Sequence, residues 1–151
     1  MSDGVSFVRA AESDRDVFIE MSKEFYSSPA VLSDINPEFH GNVFDEAMRS
    51  DCYVVIYVFK SGEDVIGYGL LNKMFAHEAG GLTVWIEELY VRDGYRGSGI
   101  GSEFLRFVEK EHPAMRYRLE TEPENEAAAR LYERLGYQKL DYCQMYKDKQ
   151  A

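Results

Sequence analysis

The sequence predicts an α/β sandwich: one domain over residues 1–151 in which a mixed, mostly antiparallel twisted sheet is flanked by helices. Three observations point there. Strand-like and helix-like patterns alternate in the order β-α-α-β-β-β-α-β-α-β-β. Two apolar runs joined by the turn residues Ser61-Gly62-Glu63-Asp64 make an antiparallel hairpin. A third run, Val84–Val91, leads through a glycine-rich turn into a helical pattern at 100–111, a strand-turn-helix unit. With 151 residues and 45% hydrophobic content, the chain can bury a full core without disulfides or metal.

Taken in order, Ser6–Ala10 reads as a short first strand. Ser13-x-x-Asp16 reads as a capping box, after which Val17, Phe18, Met21 and Phe25 follow one helical face to about Ser27. Residues 28–41 hold Pro29, Pro37 and Gly41 without a regular period, a loop with at most a short helical turn. Val43–Arg49 gives a second helix. Cys52–Phe59 and Val65–Phe75 are the hairpin strands, and Ala76–Gly81 is a second turn before the strand at 84–91. Phe104, Leu105 and Val108 recur at helical spacing in 100–111. A strand at 116–121 precedes a helix at 124–135, where Ala128, Leu131, Tyr132 and Leu135 form an apolar stripe. Pro123 marks its start and Gly136 its stop. Two closing strands are expected at 137–140 and 142–147.

Charge and composition exclude several functions. Lys+Arg 17 against Asp+Glu 27 leaves a net charge of −10, the wrong sign for nucleic acid and compatible with a cationic amine drawn to an acidic cleft. The longest uninterrupted apolar run, Cys52–Phe59, is too short to span a bilayer. Met1-Ser2-Asp3-Gly4 has neither the basic region nor the apolar core of a signal peptide, so a cytoplasmic location is expected. Cys52 and Cys143 fall in strand-like stretches and read as reduced, mostly buried thiols. Cysteine and histidine spacing suggests no metal site.

The stretch Tyr95-Arg96-Gly97-Ser98-Gly99-Ile100-Gly101-Ser102 carries the chemistry. Between a strand and a helix start, it gathers unpaired backbone N–H groups at one point, and the helix dipole adds to their attraction for an anion. The kinase-type loop is excluded because no lysine follows Gly99 or Gly101, and the dinucleotide fingerprint fails on spacing. What fits is Arg-x-x-Gly-x-Gly, met by Arg96, Gly99 and Gly101. Further on, Asn125-Glu126-Ala127-Ala128-Ala129-Arg130-Leu131-Tyr132 closes on Gly136-Tyr137. Together, in this order, these segments resemble the GNAT superfamily of acyl-CoA-dependent N-acetyltransferases, well over residues 52–147 and loosely in the N-terminal third. Asp93-Gly94 departs from the proline common in relatives and leaves the loop intact.

The resemblance implies acetyl-CoA as co-substrate and direct transfer, in a ternary complex, to a small cationic amine such as a polyamine or aminoglycoside. A protein or peptide amine is the enzymatic alternative, and a non-catalytic acetyl-CoA-binding domain the other. The main chain of Gly97, Ser98, Gly99, Ile100, Gly101 and Ser102 would cradle the pyrophosphate. Arg96 would add charge there or serve as a turn residue with its head in solvent. Leu89, Tyr90 and Val91 would pair with the pantetheine arm like an extra strand and polarise the thioester carbonyl. Tyr132 would protonate the departing thiolate, and Asn125 would contact the coenzyme, cap its helix, or both. For the base, Glu87 and Glu88 are candidates whose side chains should face opposite ways in a regular strand. The resemblance to polyamine-type enzymes favours Glu87. Tyr26, Phe39, His40, Met74, His77 and Glu78 lie in segments that wall the acceptor side in this family. Homodimers are common among relatives, so a homodimer is compatible with the reading.

Overall fold

The computed structural model describes residues 4–149. Strand β1 (Val5–Arg9) is followed by a single 3-10 turn (Glu12–Asp14) and helices α1 (Arg15–Tyr26) and α2 (Glu38–Arg49). Then come β2 (Val54–Ser61), β3 (Asp64–Ala76), β4 (Gly81–Val91), α3 (Ile100–Glu111), β5 (Arg116–Leu119) and α4 (Glu126–Arg134). The five strands lie in sequence order in one sheet. Neighbours from β1 to β4 are antiparallel, and β5 runs parallel to β4 after the α3 crossover.

Each face of the sheet buries its own apolar cluster. On one, Phe18, Met21 and Phe25 of α1 and Phe44 of α2 pack on Ile56, Val58, Tyr68, Leu70 and Tyr90. On the other, Ile100, Phe104, Leu105 and Val108 of α3 pack on Val55, Phe59, Ile66, Leu71, Val84 and Ile86, with Tyr132 and Leu135 at the margin. Alternation along β2 and β3 supplies both faces, which is why these strands read as continuous apolar runs. Gly67 and Gly69 let layers approach. A Cβ at Gly69 would collide with the Phe104 ring, and one at Gly67 with the Tyr90 carbonyl.

Several expectations need correction. The Ser13–Asp16 capping box does not form; Asp14 instead accepts the Ala11 N–H at 2.9 Å and shapes the 3-10 turn. Helix α2 begins five residues before Val43, because Asn36 accepts the Glu38 N–H at 2.9 Å and Pro37 fits a helix start. That extension puts Phe39 and His40 on a helix. The strands expected at 137–140 and 142–147 are absent, since residues 137–149 join no ladder. The short β5 offers only four residues of edge, and side-chain bonds from Tyr142 to Glu78 and from Gln144 to Glu120 hold the segment instead. Cys52 and Cys143 are free but exposed, because one precedes β2 and the other lies in this unladdered segment. Among the described residues, no helix is long and apolar enough to cross a membrane.

Candidate active site

The site is organised by one irregularity in the sheet. Leu70 pairs with Glu88 and the next residue, Leu71, with Ile86, so Glu87 is an extra residue without a partner across the ladder. A bulge of this kind bends the strand and re-aims its side chains. On the other side of β4, β5 pairs only with Thr83–Ile86 and then ends. From Glu87 onward the two strands part. The main-chain edge of Leu89, Tyr90 and Val91 facing that gap has no strand partner among the described residues. A cavity of about 250 Å³ occupies the opening, lined among others by Leu89, Leu119, Glu120, Asn125 and Tyr132.

At the far end of β4 the glycine loop turns into α3. Gly97 (φ 82°) and Gly99 (φ 84°) adopt left-handed conformations that side chains disfavour, and Gly99 is the N-cap of α3. The amides of Ile100, Gly101 and Ser102 start the helix and have no carbonyl one turn earlier within it. Ser98 Oγ donates to the Tyr95 carbonyl at 2.9 Å, tightening the turn. Arg96 is committed to the protein: Nε donates to the Val91 carbonyl at 2.6 Å, the guanidinium pairs with Asp93 at 2.9 Å, and it lies over the Tyr90 ring. Tyr90 in turn donates to Glu24, which also pairs with Arg92 at 3.0 Å, tying the end of β4 to α1.

A second cavity, also about 250 Å³, lies between β3–β4 and the helices α1 and α2. Ser22, Tyr26, Phe39, His40, Asn72, Glu87 and Glu88 line it. Buried Glu88 is held by two phenols, accepting from Tyr26 at Oε2 and from Tyr68 at Oε1, each at 2.7 Å. Burial raises its pKa, opposed by these two bonds and by the nearby His40. Ser22 Oγ and His40 Nδ1, both buried, bond at 2.7 Å behind it. Glu87 is solvent-exposed at the cleft floor and accepts from Asn72 Nδ2 at 3.1 Å. Although its side chain reaches solvent, partial desolvation by the cleft walls raises its pKa, with Glu88 and Glu120 adding repulsion and Asn72 opposing.

The two cavities share Tyr26, Glu87 and Glu88. The expectation that the carboxylates face opposite sides is thus overturned, because the bulge brings both to one cleft. Of the residues expected on the acceptor side, Tyr26, Phe39 and His40 line the cavity beneath α1 and α2; Met74, His77 and Glu78 do not, and Glu78 pairs with Arg116 at 2.9 Å. Asn125 Oδ1 caps α4 by accepting the Ala128 N–H at 3.1 Å while lining the other cavity. Tyr132 lies on that cavity's wall, where burial raises its phenol pKa. Ser22, Tyr68 and Asn72 escaped the sequence reading. Of these, only Asn72, a polar residue in an apolar strand, carried a signal. Among the described residues, no group of three or more His, Cys, Asp or Glu is placed to hold a metal ion.

Comparison with known proteins places this geometry in context. The family model "Acetyltransferase (GNAT) family" matches residues 16–137. Thialysine N-epsilon-acetyltransferase of Mus musculus is 31% identical over 114 residues, covering 65% of this chain and 66% of that protein. The Bos taurus protein of the same name matches equally, at 31% identity over the same coverage. The matched stretch thus spans just under two thirds of these relatives' length. Among solved structures, an aminoglycoside N-acetyltransferase in complex with CoA superposes with a TM-score of 0.77 at 12% identity, over 96% of this chain and 95% of that one. Ribosomal-protein-alanine N-acetyltransferase from Brucella melitensis biovar Abortus 2308 gives 0.71 at 14% identity, over 96% and 99%. At these identities the structural likeness speaks for the fold alone.

Proposed function

Because the chain belongs to the acetyltransferase (GNAT) family, we propose that it transfers the acetyl group of acetyl-CoA to the primary amine of a small cationic acceptor by direct attack. The observation that carries this reading is the meeting of two cavities at Glu87 and Glu88, one beside an open main-chain edge and the other lined by carboxylates. The chain's own groups fit the coenzyme. Left-handed glycines and the first amides of α3 would hold its pyrophosphate, and the unpaired edge of Leu89, Tyr90 and Val91 would hold the pantetheine arm. When bound, acetyl-CoA supplies the activated thioester. Arg96 acts mainly by fixing the loop to β4, since its donors already serve Val91 and Asp93.

The acceptor enters as an ammonium with a pKa of about 10 and must lose a proton to become a nucleophile. Glu87 is the base, directly or through one water. It is open to the cleft, bonded by a single amide, and raised in pKa toward a useful range. Glu88 is the anchor for the ammonium: burial raises its pKa, and the two phenols that donate to it oppose that rise by favouring the charged form. Tyr132 holds its proton throughout the neutral range, its pKa being raised by burial, and so serves as the donor for the leaving sulfur. An acceptor cavity of about 250 Å³ suits a small amine better than a peptide segment. The curated relatives named for thialysine acetylation support the same choice. Free thiols at Cys52 and Cys143 suit a reducing, cytoplasmic setting.

Incubating the protein with acetyl-CoA and a panel of amines while following free thiol tests the reading. Thiol release that depends on the added amine is expected. Coenzyme binding without thiol release from any amine would make the protein a ligand-binding domain instead.

A further inference from the structure

Helices α1 and α2 cover one face of the sheet only in part: no β5 residue belongs to the core cluster beneath them. The uncovered end of that face presents a row of three side chains in register. Asn72, Trp85 and Arg118 are successive ladder partners across β3, β4 and β5, so they project to the same side. Asn72 already belongs to the acceptor cavity, where it bonds Glu87. Trp85 Nε1 donates to Met74 Sδ at 3.1 Å, which fixes the ring. Arg118 lies over that ring, its Cζ 4.2 Å from the centre.

A guanidinium held over a ring by this contact uses none of its N–H donors in a hydrogen bond, which leaves them for a planar anion. The neighbouring Arg116 is paired with Glu78 at 2.9 Å, and Tyr142 donates to the other oxygen of Glu78. Arg118 makes no ion pair among the described residues, although its charge, with that of Arg116, helps hold the Glu78 carboxyl below its usual range. By contrast, the carboxyl groups lining the two cavities are those of Glu87, Glu88, Glu120 and Glu122. An unpaired cation beside such a site repels an acceptor made only of amines and attracts one with an acidic end. One strand spacing and two residues of rise separate Glu87 from Arg118, roughly 8 Å between Cα atoms. An extended lysine-like side chain spans a gap of that order.

We propose that Arg118, held over the Trp85 ring, is a specificity-determining residue that receives the carboxylate of the acceptor, which is therefore an amino acid whose side chain ends in a primary amine. The proposal rests on the acetyl-transfer reading above and names the acceptor class for the same site. Neither Arg118 nor Trp85 touches the reacting atoms in this scheme; the role is in acceptor binding.

Steady-state kinetics with lysine and with cadaverine, which is lysine without its carboxylate, test it. In the wild type, KM for lysine should be about tenfold or more below that for cadaverine. Arg118→Gln should raise the lysine KM about tenfold, with kcat and the cadaverine parameters within about twofold. Arg118→Lys keeps the charge and should recover part of the loss, which separates charge recognition from packing on Trp85. A wild-type preference for cadaverine, or an equal effect of Arg118→Gln on both acceptors, would overturn the role of Arg118 and leave the acetyl-transfer reading standing. Thiol release from neither of these nor from any other amine would overturn that reading and this proposal with it.

Discussion

The turn at Gly99 is shaped chiefly by main chain, whereas around Glu88 the cleft is lined by side chains that satisfy one another. The loop end needs little beyond backbone conformation: two glycines at positive φ, a helix start and a strand edge without a partner. The carboxylate end depends on contacts between residues distant in sequence, with Tyr26 and Glu88 62 positions apart and Ser22 and His40 18 apart. A backbone-built site tolerates change in the side chains around it and fails when its φ angles or its space are lost. A side-chain-built site degrades bond by bond.

That contrast can be broken or sharpened by substitution. The largest effect is expected at the loop. A Cβ at Gly99 meets nothing within 4 Å, but the left-handed conformation costs a side chain about 1 kcal/mol. Gly99→Glu should leave the fold intact and weaken coenzyme binding by about a hundredfold or more, since a carboxylate would then stand where the pyrophosphate is proposed to bind. Calorimetric titration with CoA reads this, and unchanged affinity would contradict the loop assignment. Next, Glu87→Gln should lower kcat by about a hundredfold with coenzyme affinity unchanged. Equal kcat in variant and wild type would remove Glu87 as the base.

Tyr132→Phe should lower kcat by about tenfold and alter coenzyme affinity much less, and wild-type turnover would dismiss the donor role. The smallest effect is expected at Tyr68→Phe. Losing one donor to Glu88 should destabilise the fold by about 1–2 kcal/mol and raise the Glu88 pKa further. Folding raises that pKa, so the folded chain keeps a proton that the unfolded chain has released. Glu88 therefore favours folding below the ordinary glutamate range, and this advantage disappears as pH climbs through the raised value. Denaturant titrations of wild type and Glu88→Gln across that range should differ in slope with pH. Parallel curves would show that Glu88 is not perturbed.

The same contrast explains what the amino-acid sequence discloses. The loop's shape was legible because left-handed backbone demands glycine at particular positions, and Gly97 and Gly99 meet that demand locally. Asn125 was legible for the same reason, as a cap whose partner is three residues away. The Glu87–Glu88 pair was visible as charge in an apolar strand. Its orientation was hidden because a one-residue bulge in the β3–β4 register depends on how two strands meet, and the period-2 rule assumes none. Ser22 and Tyr68 were hidden because a buried hydroxyl on an apolar face reads as core until its partner is known. The closing strands failed for another reason: residues 137–147 have strand-like composition, but a ladder also needs an edge, and β5 supplies only Arg116–Leu119.

The claim that unites both halves is that the acceptor loses its proton to Glu87 at the bulge. The pH dependence of kcat/KM, measured on wild type and Glu87→Gln with one saturating acetyl-CoA concentration, tests it most directly. The wild type should lose activity on an acid limb lying above the ordinary glutamate range, because protonated Glu87 cannot accept. The variant should lack that limb and keep only the rise due to the amine itself. The same acid limb in both proteins would contradict the account.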